Sequence, residues 1–259
     1  MKTVPSTWDP AQYGRFERER LRPAHDLLAR VPLSAPNAIY DLGCGTGNAT
    51  ALIAARWPEA EVTGVDSSAA MLARARDSST MIDWVNADIR SWRAPRPADL
   101  IFTSAALQWL DGHAALFPSL MSQLTPGGML AVQMPRNYDA PSHVAMAESA
   151  ASGPWRERLE AVRGRSPVAT PETYYEFLSP SARRIDIWET VYMHVLEGED
   201  PVVEWTKSTG LRPYLDALDE AECGAFLADY AARLRRAYPP RSDGRSLFPF
   251  RRLFIVALR

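Results

Sequence analysis

Residues 37–50 read NAIYDLGCGTGNAT, and this stretch determines the fold. The apolar run 38–42 is typical of a buried strand, and the alanine-rich run 48–56 has helical character. Between them lie glycines at positions 43, 45 and 47. Glycine permits a sharp turn and lets the backbone approach a ligand without an intervening Cβ. The pattern predicts a strand, a loop and a helix that present backbone N–H groups and a helix N-terminus to one ligand.

Acidic residues follow the predicted strands. Asp41 precedes the first glycine, so the order D-x-G-x-G-x-G differs from the dinucleotide pattern G-x-G-x-x-G. A carboxylate at this point repels a pyrophosphate and attracts a cationic amine or sulfonium. The apolar run 61–65 ends at Asp66, where an acid can accept both hydroxyls of a ribose. A third run, 82–85, leads into the sequence NADI, so three successive strand ends each carry an aspartate.

Composition limits the class of protein. The chain has 259 residues, a net charge of −2 and 46% hydrophobic residues, which fits one globular core domain with a modest lid. This charge balance gives no electrostatic footprint for nucleic acid. No apolar run approaches the ~18 residues of a membrane span, and the N-terminus lacks a signal pattern. We expect a cytoplasmic protein without a membrane, nucleic-acid or metal partner, and the oligomeric state stays open, with a monomer as one option.

The pattern along the chain predicts an α/β fold. Residues 37–134 alternate strands with helices, which implies a parallel sheet with helices on both faces and a ligand at the carboxyl ends of the strands. The expected organisation is 1–36 as amphipathic helices broken near Pro23, 37–134 as the ligand-binding core, 135–184 and 196–248 as helical insertions, and 185–195 and 249–259 as the sixth and seventh strands.

The end of the fourth strand, residues 103–109, reads TSAALQW. The small Ser104 and Ala105 leave room for a ligand, and Gln108 and Trp109 can wall an acceptor pocket. A core aromatic explains Trp109 equally well. No compact His/Asp or Lys/Tyr base constellation is visible in the sequence. Each histidine, including His143, is also explained as an ordinary surface or core residue.

Arginines beside aromatic residues mark the insertions and the strands next to them. Arg212 and Tyr214 stand in TGLRPY, Arg136 follows the fifth strand, and Arg251 and Arg252 precede the last strand. Guanidinium groups bind carboxylates with bidentate geometry. Several converging arginines would hold a polyanion, whereas isolated ones are solvated surface residues.

The motifs DLGCGTG, GVDSS and NADI resemble those of class I S-adenosylmethionine-dependent methyltransferases. The segments LQWL, LAVQMP, TGLRPYL and RLFIVA, with the N-terminal stretch WDPAQYGRFERERLRPAHDLLARVPL, resemble the trans-aconitate 2-methyltransferase family over most of the chain. The resemblance implies a Rossmann-like seven-stranded sheet, with the seventh strand antiparallel between the fifth and sixth and a largely helical lid built from the insertions. It implies S-adenosyl-L-methionine as cofactor and methyl esterification of trans-aconitate, a small polycarboxylic acid.

The implied site has no catalytic residue, because a carboxylate acceptor is already ionised at neutral pH and positioning suffices. The residues expected to bind the cofactor are Arg22, Asp41, Gly43, Cys44, Gly45, Gly47, Asn48, Asp66, Ser67, Met71, Asp88, Ile89, Ser104 and Ala105. The residues expected to bind the acceptor are Trp8, Tyr13, Gln108, Trp109, Arg136, His143, Arg212, Tyr214 and Arg251.

Three other functions compete with this interpretation. A methyltransferase for another small acid, a phenol or an amine has the same cofactor motifs, but a phenol or amine requires a base. A non-catalytic S-adenosylmethionine-binding protein, such as a sensor or partner subunit, also keeps these motifs. An oxidoreductase on a Rossmann domain is disfavoured by the acid before the first glycine.

Overall fold

The computed structural model describes residues 17–78, 81–163, 168–207 and 209–259. These residues form two compact units. The core unit comprises Arg20–Arg136, Val168–Thr190 and Arg251–Arg259, and the helical unit holds the described residues of Met1–Glu19, Asn137–Pro167 and Val191–Phe250. No helix in the described ranges is long and apolar enough to cross a membrane.

One seven-stranded sheet is present in the described residues, in the order β3-β2-β1-β4-β5-β7-β6. Its strands are β1 (Ala38–Leu42), β2 (Glu61–Asp66), β3 (Asp83–Asn86), β4 (Ala98–Ser104), β5 (Leu124–Pro135), β6 (Arg184–Leu196) and β7 (Ser246–Leu258). Strand β1 pairs in parallel with β2 and β4, and β5 pairs antiparallel with β7. The expected α/β sheet, with the seventh strand between the fifth and sixth, is confirmed.

The helices alternate with the strands in the first half of the chain and dominate the second half. They are α1 (Glu17–Ala29), α2 (Asn48–Arg56), α3 (Ala69–Ser78), α4 (His113–Ser122), α5 (Pro141–Ser152), α6 (Glu160–Arg163), α7 (Pro171–Leu178), α8 (Pro201–Lys207), α9 (Arg212–Leu215) and α10 (Glu220–Ala237), with a 3₁₀ turn at Leu107–Trp109. The predicted break near Pro23 is wrong, because α1 continues through it. Pro23 is buried beside Ala24 and Leu27, and this apolar burial offsets the hydrogen bond that proline removes.

Apolar side chains of the strands and flanking helices fill the core unit. All five residues of β1 are buried, as expected for a central strand covered on both faces. Val168, Tyr174 and Leu178 belong to the same cluster as Phe117 of α4. The expected insertion 135–184 is therefore divided, because its last part, from Val168 onward, buries its apolar side chains in the core unit.

The helical unit has an apolar core of its own. Trp205, Phe226 and Tyr230 are fully buried in it, and α10 packs against α5 and α8. A capping box begins α10, in which the Asp219 side chain accepts from the Glu222 amide and the Glu222 side chain accepts from the Asp219 amide. This arrangement satisfies two of the amides that a helix N-terminus leaves without intrahelical partners.

Candidate active site

The glycine loop between β1 and α2 lies at the carboxyl edge of the sheet. Its first amides, those of Gly43 and Cys44, donate to the carbonyl of Val65 over 2.7 Å and 3.1 Å. A Cβ added to Gly43 would lie 2.2 Å from the Cβ of Ala106, so the loop is in close contact with the segment after β4. A Cβ added to Gly45 meets no described atom within 4 Å. The loop backbone at Gly45 therefore faces open space that a ligand can fill.

Asp66, at the end of β2, holds this loop and keeps capacity for a ligand. Its Oδ2 accepts from the Gly45 amide at 2.9 Å, and its Oδ1 accepts from the Ser68 amide at 2.8 Å. A carboxylate has about four lone-pair sites, so each oxygen retains a position for another donor. The side chain is partly exposed. This geometry fits the two adjacent hydroxyls of a ribose.

Asp41, at the end of β1, is buried, whereas Asp66 is partly exposed. Asp41 is only 1% exposed, and its Oδ2 accepts from the Thr50 hydroxyl of α2 at 2.6 Å. Burial raises the pKa of Asp41 to about 7, with a smaller contribution from the charge of Asp66 and an opposing one from the Thr50 hydrogen bond. The carboxyl group joins β1 to α2, and its predicted contact with the cofactor stays a prediction.

Asp88 and Ile89 follow β3 in the segment expected to bind adenine. Both the guanidinium and the backbone amide of Arg90 donate to the Asp88 carboxylate. The Arg90 side chain, followed by its amide, lowers the pKa of Asp88 to about 2. Ile89 is buried. An adenine ring that binds here through Asp88 must share the carboxylate with Arg90.

The other cofactor candidates that precede β4 lie on α1, in the glycine loop, at the start of α2 and between β2 and the first turn of α3. Ser67 is exposed between β2 and α3, and the amide of Met71 donates to the Ser68 hydroxyl at 3.3 Å. Asn48 is the first residue of α2 and follows Gly47, the N-cap. Cys44 is buried, and burial raises the pKa of its thiol. Arg22 is exposed on α1, and its role toward the cofactor stays a prediction.

The end of β4 and the segment after it contain the cofactor candidates Ser104 and Ala105 and the acceptor candidates Gln108 and Trp109. Ala105 has a positive φ of 55°, and its amide donates to the Gln133 carbonyl at 3.0 Å. The Gln108 amide nitrogen donates to the Ala105 carbonyl at 2.7 Å, while its Oε1 is buried without a hydrogen-bond partner among the described residues. Trp109 is 48% exposed, so the core-aromatic interpretation is wrong.

A hydrogen bond between the half-buried His113 and the buried Tyr174 lies next to this segment. His113 Nδ1 lies 2.7 Å from the Tyr174 hydroxyl, and its Nε2 lies 2.9 Å from the Leu107 carbonyl. The same hydroxyl accepts from the Ala169 amide at 3.3 Å. Because a carbonyl can only accept, Nε2 carries a proton, and in the neutral ring the Tyr174 hydroxyl then donates to Nδ1. His113 and Tyr174 thus hold the 3₁₀ turn that carries Gln108.

The predicted acceptor residues that remain are distributed over both units. In the core unit, Arg136 donates to the Glu189 carboxylate at 2.8 Å, and the Arg251 side chain is partly buried. In the helical unit, Arg212 Nε lies 3.6 Å from Asp216 Oδ2, Tyr214 stacks on Phe226, and burial lowers the pKa of His143 to about 4. Trp8 and Tyr13 lie outside the described residues.

Three residues near the site were not among the predicted site residues. The Trp84 indole lies where a Cβ on Gly47 or Gly64 would be, so it packs directly on the glycine loop. Gln133 and Arg252 are buried on β5 and β7 and hydrogen-bonded to each other. The sequence contained a signal for Gln133, which is the only glutamine in the apolar run MLAVQMP. A buried amide requires hydrogen-bond partners, so this residue indicated a polar contact inside the sheet.

A surface cavity of about 460 Å³ occurs in the helical unit. Residues such as Asp200, Arg235 and Tyr238 line it, and it contains none of the predicted site residues. The chemistry of the glycine loop and Asp66, rather than cavity size, therefore defines the candidate site.

Comparison with known proteins identifies the same region. Residues 39–128 match the model of a methyltransferase domain. The chain is 53% identical to a trans-aconitate 2-methyltransferase of Azoarcus sp. (strain BH72), covering 98% of this chain and 99% of that protein. It is 51% identical to the enzyme of the same name from Yersinia pestis (strain Pestoides F), covering 96% and 97%.

A solved structure supports the fold. Phosphoethanolamine N-methyltransferase 2 of Haemonchus contortus, in complex with phosphomonomethylethanolamine and S-adenosylhomocysteine, aligns with a TM-score of 0.55 and 16% identity. The alignment covers 92% of this chain and 52% of that one. The methyltransferase sheet is thus shared, and the near-full-length identity to the curated relatives adds the family. The chain belongs to the trans-aconitate 2-methyltransferase family.

Proposed function

We propose that this protein transfers a methyl group from S-adenosyl-L-methionine to a carboxylate of a small polycarboxylic acid, with trans-aconitate as the acceptor. The observation that carries the cofactor assignment is the geometry of Gly45 and Asp66. The first faces open space, and the second retains lone pairs for two hydroxyls. These residues therefore fit a ligand that contains a ribose, as S-adenosyl-L-methionine does.

The residues of the core unit have separate tasks in this proposal. Asp66 accepts the ribose hydroxyls, and the loop around Gly45 provides a close backbone surface for the methionine end. When bound, S-adenosyl-L-methionine supplies an electrophilic methyl group on a sulfonium. The chain contributes the positioning that a bimolecular displacement requires. Gln108 and the exposed Trp109 border the place where the acceptor would lie.

An ionised acceptor is consistent with the surroundings of two histidines, His113 of the core unit and His143 of the helical unit. Both ring nitrogens of His113 are engaged in hydrogen bonds, which leaves it no lone pair for a substrate proton. Burial lowers the pKa of His143 to about 4, far from the value that suits a base near neutral pH. A carboxylate acceptor needs neither residue as a base. The identity of the acceptor as trans-aconitate rests on the names of the relatives.

Calorimetry tests the proposal in two steps. S-adenosylhomocysteine and NAD are titrated separately into the protein, and trans-aconitate is then titrated into the S-adenosylhomocysteine complex. We expect binding of S-adenosylhomocysteine, no binding of NAD, and binding of the acid to the complex. Binding of NAD in place of S-adenosylhomocysteine would instead support an oxidoreductase. Tight cofactor binding without any acid binding would support a different acceptor or a sensor.

A further inference from the structure

A chain of three hydrogen-bonded side chains crosses strands β7, β5 and β4. The guanidinium NH1 of Arg252 donates to Oε1 of Gln133 over 3.0 Å, and Nε2 of Gln133 donates to the Ser104 hydroxyl over 2.9 Å. Arg252 is 6% exposed and Gln133 is fully buried. Ser104, the last residue of β4, is partly exposed. This series of hydrogen bonds therefore begins at the buried guanidinium of Arg252 and ends at Ser104, at the carboxyl edge of the sheet.

The direction of each hydrogen bond follows from the chemistry of the groups. Arginine has only donors, so the oxygen of the Gln133 amide must face Arg252 and its nitrogen must face Ser104. The Ser104 oxygen is then an acceptor in this bond, and its own proton must point elsewhere. No described residue accepts that proton in a hydrogen bond. The adjoining cation polarises the amide in a low-dielectric interior and so strengthens the whole chain.

The position of Ser104 indicates which group can accept this proton in a hydrogen bond. Ser104 directly precedes Ala105 and Ala106, and Ala106 is the residue against which Gly43 of the glycine loop packs. The hydroxyl thus lies beside the segment that borders the proposed acceptor position. An O–H donor whose oxygen is already engaged favours an acceptor-only partner, and an ionised carboxylate is the strongest such partner.

We propose that Arg252 and Gln133 are positioning residues that commit the Ser104 hydroxyl to donate to a ligand carboxylate. This inference rests on the proposed function and adds a specific recognition group to it. Two carboxylates qualify, that of the acceptor acid and that of the methionine moiety of the cofactor. The chemistry is the same for both, and the measurements below separate them.

Gln133→Glu tests the direction of the hydrogen bonds with almost no change of shape. At about pH 8 the introduced carboxylate is ionised and pairs with Arg252, so the fold is retained and the melting temperature should not fall. A carboxylate can only accept, so Ser104 now donates to this introduced group and is withdrawn from the ligand. We expect the affinity for the ligand carboxylate to fall about tenfold, with the larger change in KM rather than kcat.

Variants of Ser104 supply the matched controls. Ser104→Ala removes the donor and should reproduce the loss, whereas Ser104→Thr keeps a hydroxyl and should retain most of the affinity. The double variant Gln133→Glu/Ser104→Ala should bind no worse than either single variant, because both changes remove the same hydrogen bond.

Calorimetry supplies the readout that is independent of turnover. Weaker binding of trans-aconitate to the S-adenosylhomocysteine complex, with unchanged S-adenosylhomocysteine affinity, assigns the donor to the acceptor carboxylate. Weaker binding of S-adenosylhomocysteine itself assigns it to the methionine carboxylate. Unchanged affinities for both ligands in a folded Gln133→Glu or Ser104→Ala protein would overturn the inference. That result would leave the proposed function intact, because S-adenosylhomocysteine and the acid would still bind.

Discussion

At the scale of single residues, two aspartates at neighbouring strand ends carry the same side chain in opposite surroundings. Asp66 is partly exposed and accepts two backbone amides, so it stays available to further donors. Asp41 is buried under the loop and accepts one hydroxyl. The sequence pattern predicts that both contact the cofactor, and only the structure distinguishes a partly exposed carboxylate from a buried one that joins β1 to α2.

Replacing Asp66 tests the ribose contact. Asp66→Ala should weaken S-adenosylhomocysteine binding by roughly 2–4 kcal/mol, because two charge-assisted hydrogen bonds to hydroxyls are lost. Asp66→Asn should lose part of this, since one acceptor oxygen remains. Calorimetry gives the affinity, and circular dichroism controls for loop unfolding, because Asp66 also holds the Gly45 amide. Unchanged affinity in a folded variant would remove Asp66 from the site.

Replacing Gly45 tests whether its open side is the ligand position. Gly45→Val should abolish S-adenosylhomocysteine binding and leave the far-ultraviolet spectrum largely native. Gly127→Val is the matched control, because Gly127 also has positive φ and open surroundings but lies at the other end of the sheet. It carries the same type of backbone strain. Retained binding in the Gly45 variant would place the ligand elsewhere.

Replacing Asp41 tests its pKa through stability. A folded-state pKa of about 7 lies above the ordinary 3.8, so protonated Asp41 favours the folded state and this contribution is lost as the pH rises through 7. Asp41→Asn imitates the protonated form and should gain stability relative to the parent as the pH rises from about 4 to about 8. Chemical unfolding at several pH values measures the difference. A difference that does not change with pH would contradict a raised pKa.

At the scale of elements, the positions of strands and helices followed from the apolar periodicity and from the glycines that mark turns and loops. The predicted strands 38–42 and 61–65 lie within one residue of the observed bounds of β1 and β2. The helix through Pro23 was missed, because a proline's local cost is visible in a sequence while the apolar burial that offsets it is not. The position of α7 in the core unit depends on tertiary contacts of Tyr174, which no local pattern shows.

The contact between α4 and α7 yields a prediction at this scale. Tyr174→Phe removes the hydroxyl that donates to His113 and should loosen the 3₁₀ turn carrying Gln108. We expect KM for the acid to rise several-fold while S-adenosylhomocysteine affinity is unchanged, because the glycine loop is untouched. Tyr175→Phe is the matched control on the exposed side of the same helix. Equal kinetics for the two variants would contradict a role for the pair in positioning the turn.

At the scale of the whole molecule, the sequence identified the cofactor side better than the acceptor side. Motifs such as DLGCGTG lie in one continuous stretch, and local spacing predicts their neighbours. The residues predicted to bind the acceptor lie on separated segments, so no local pattern tests whether Arg212 and Arg251 bind it. The buried chain through Gln133 joins three strands, and no single segment of the sequence contains it.

Arg212, in the helical unit, is the first arginine to test for acceptor binding. Its pairing with Asp216 is partly exposed and contributes little stability. Arg212→Ala should raise KM for the acid about tenfold to a hundredfold, roughly 1.5–3 kcal/mol, with cofactor affinity unchanged. Arg212→Lys should recover only part of the loss, because the bidentate geometry is gone. Arg235→Ala, at an exposed arginine paired with Asp200, is the control. Equal KM values for the two alanine variants would contradict the role.

The central claim is that this protein esterifies a carboxylate, and the chemical nature of the methylated product tests it most directly. The protein is incubated with methyl-labelled S-adenosyl-L-methionine and, separately, with trans-aconitate, other small acids, a phenol and an amine. We predict label transfer to trans-aconitate and release of that label as methanol on mild alkaline hydrolysis, as expected of a methyl ester. Transfer only to the phenol or the amine, or a trans-aconitate product stable to alkali, would contradict the account.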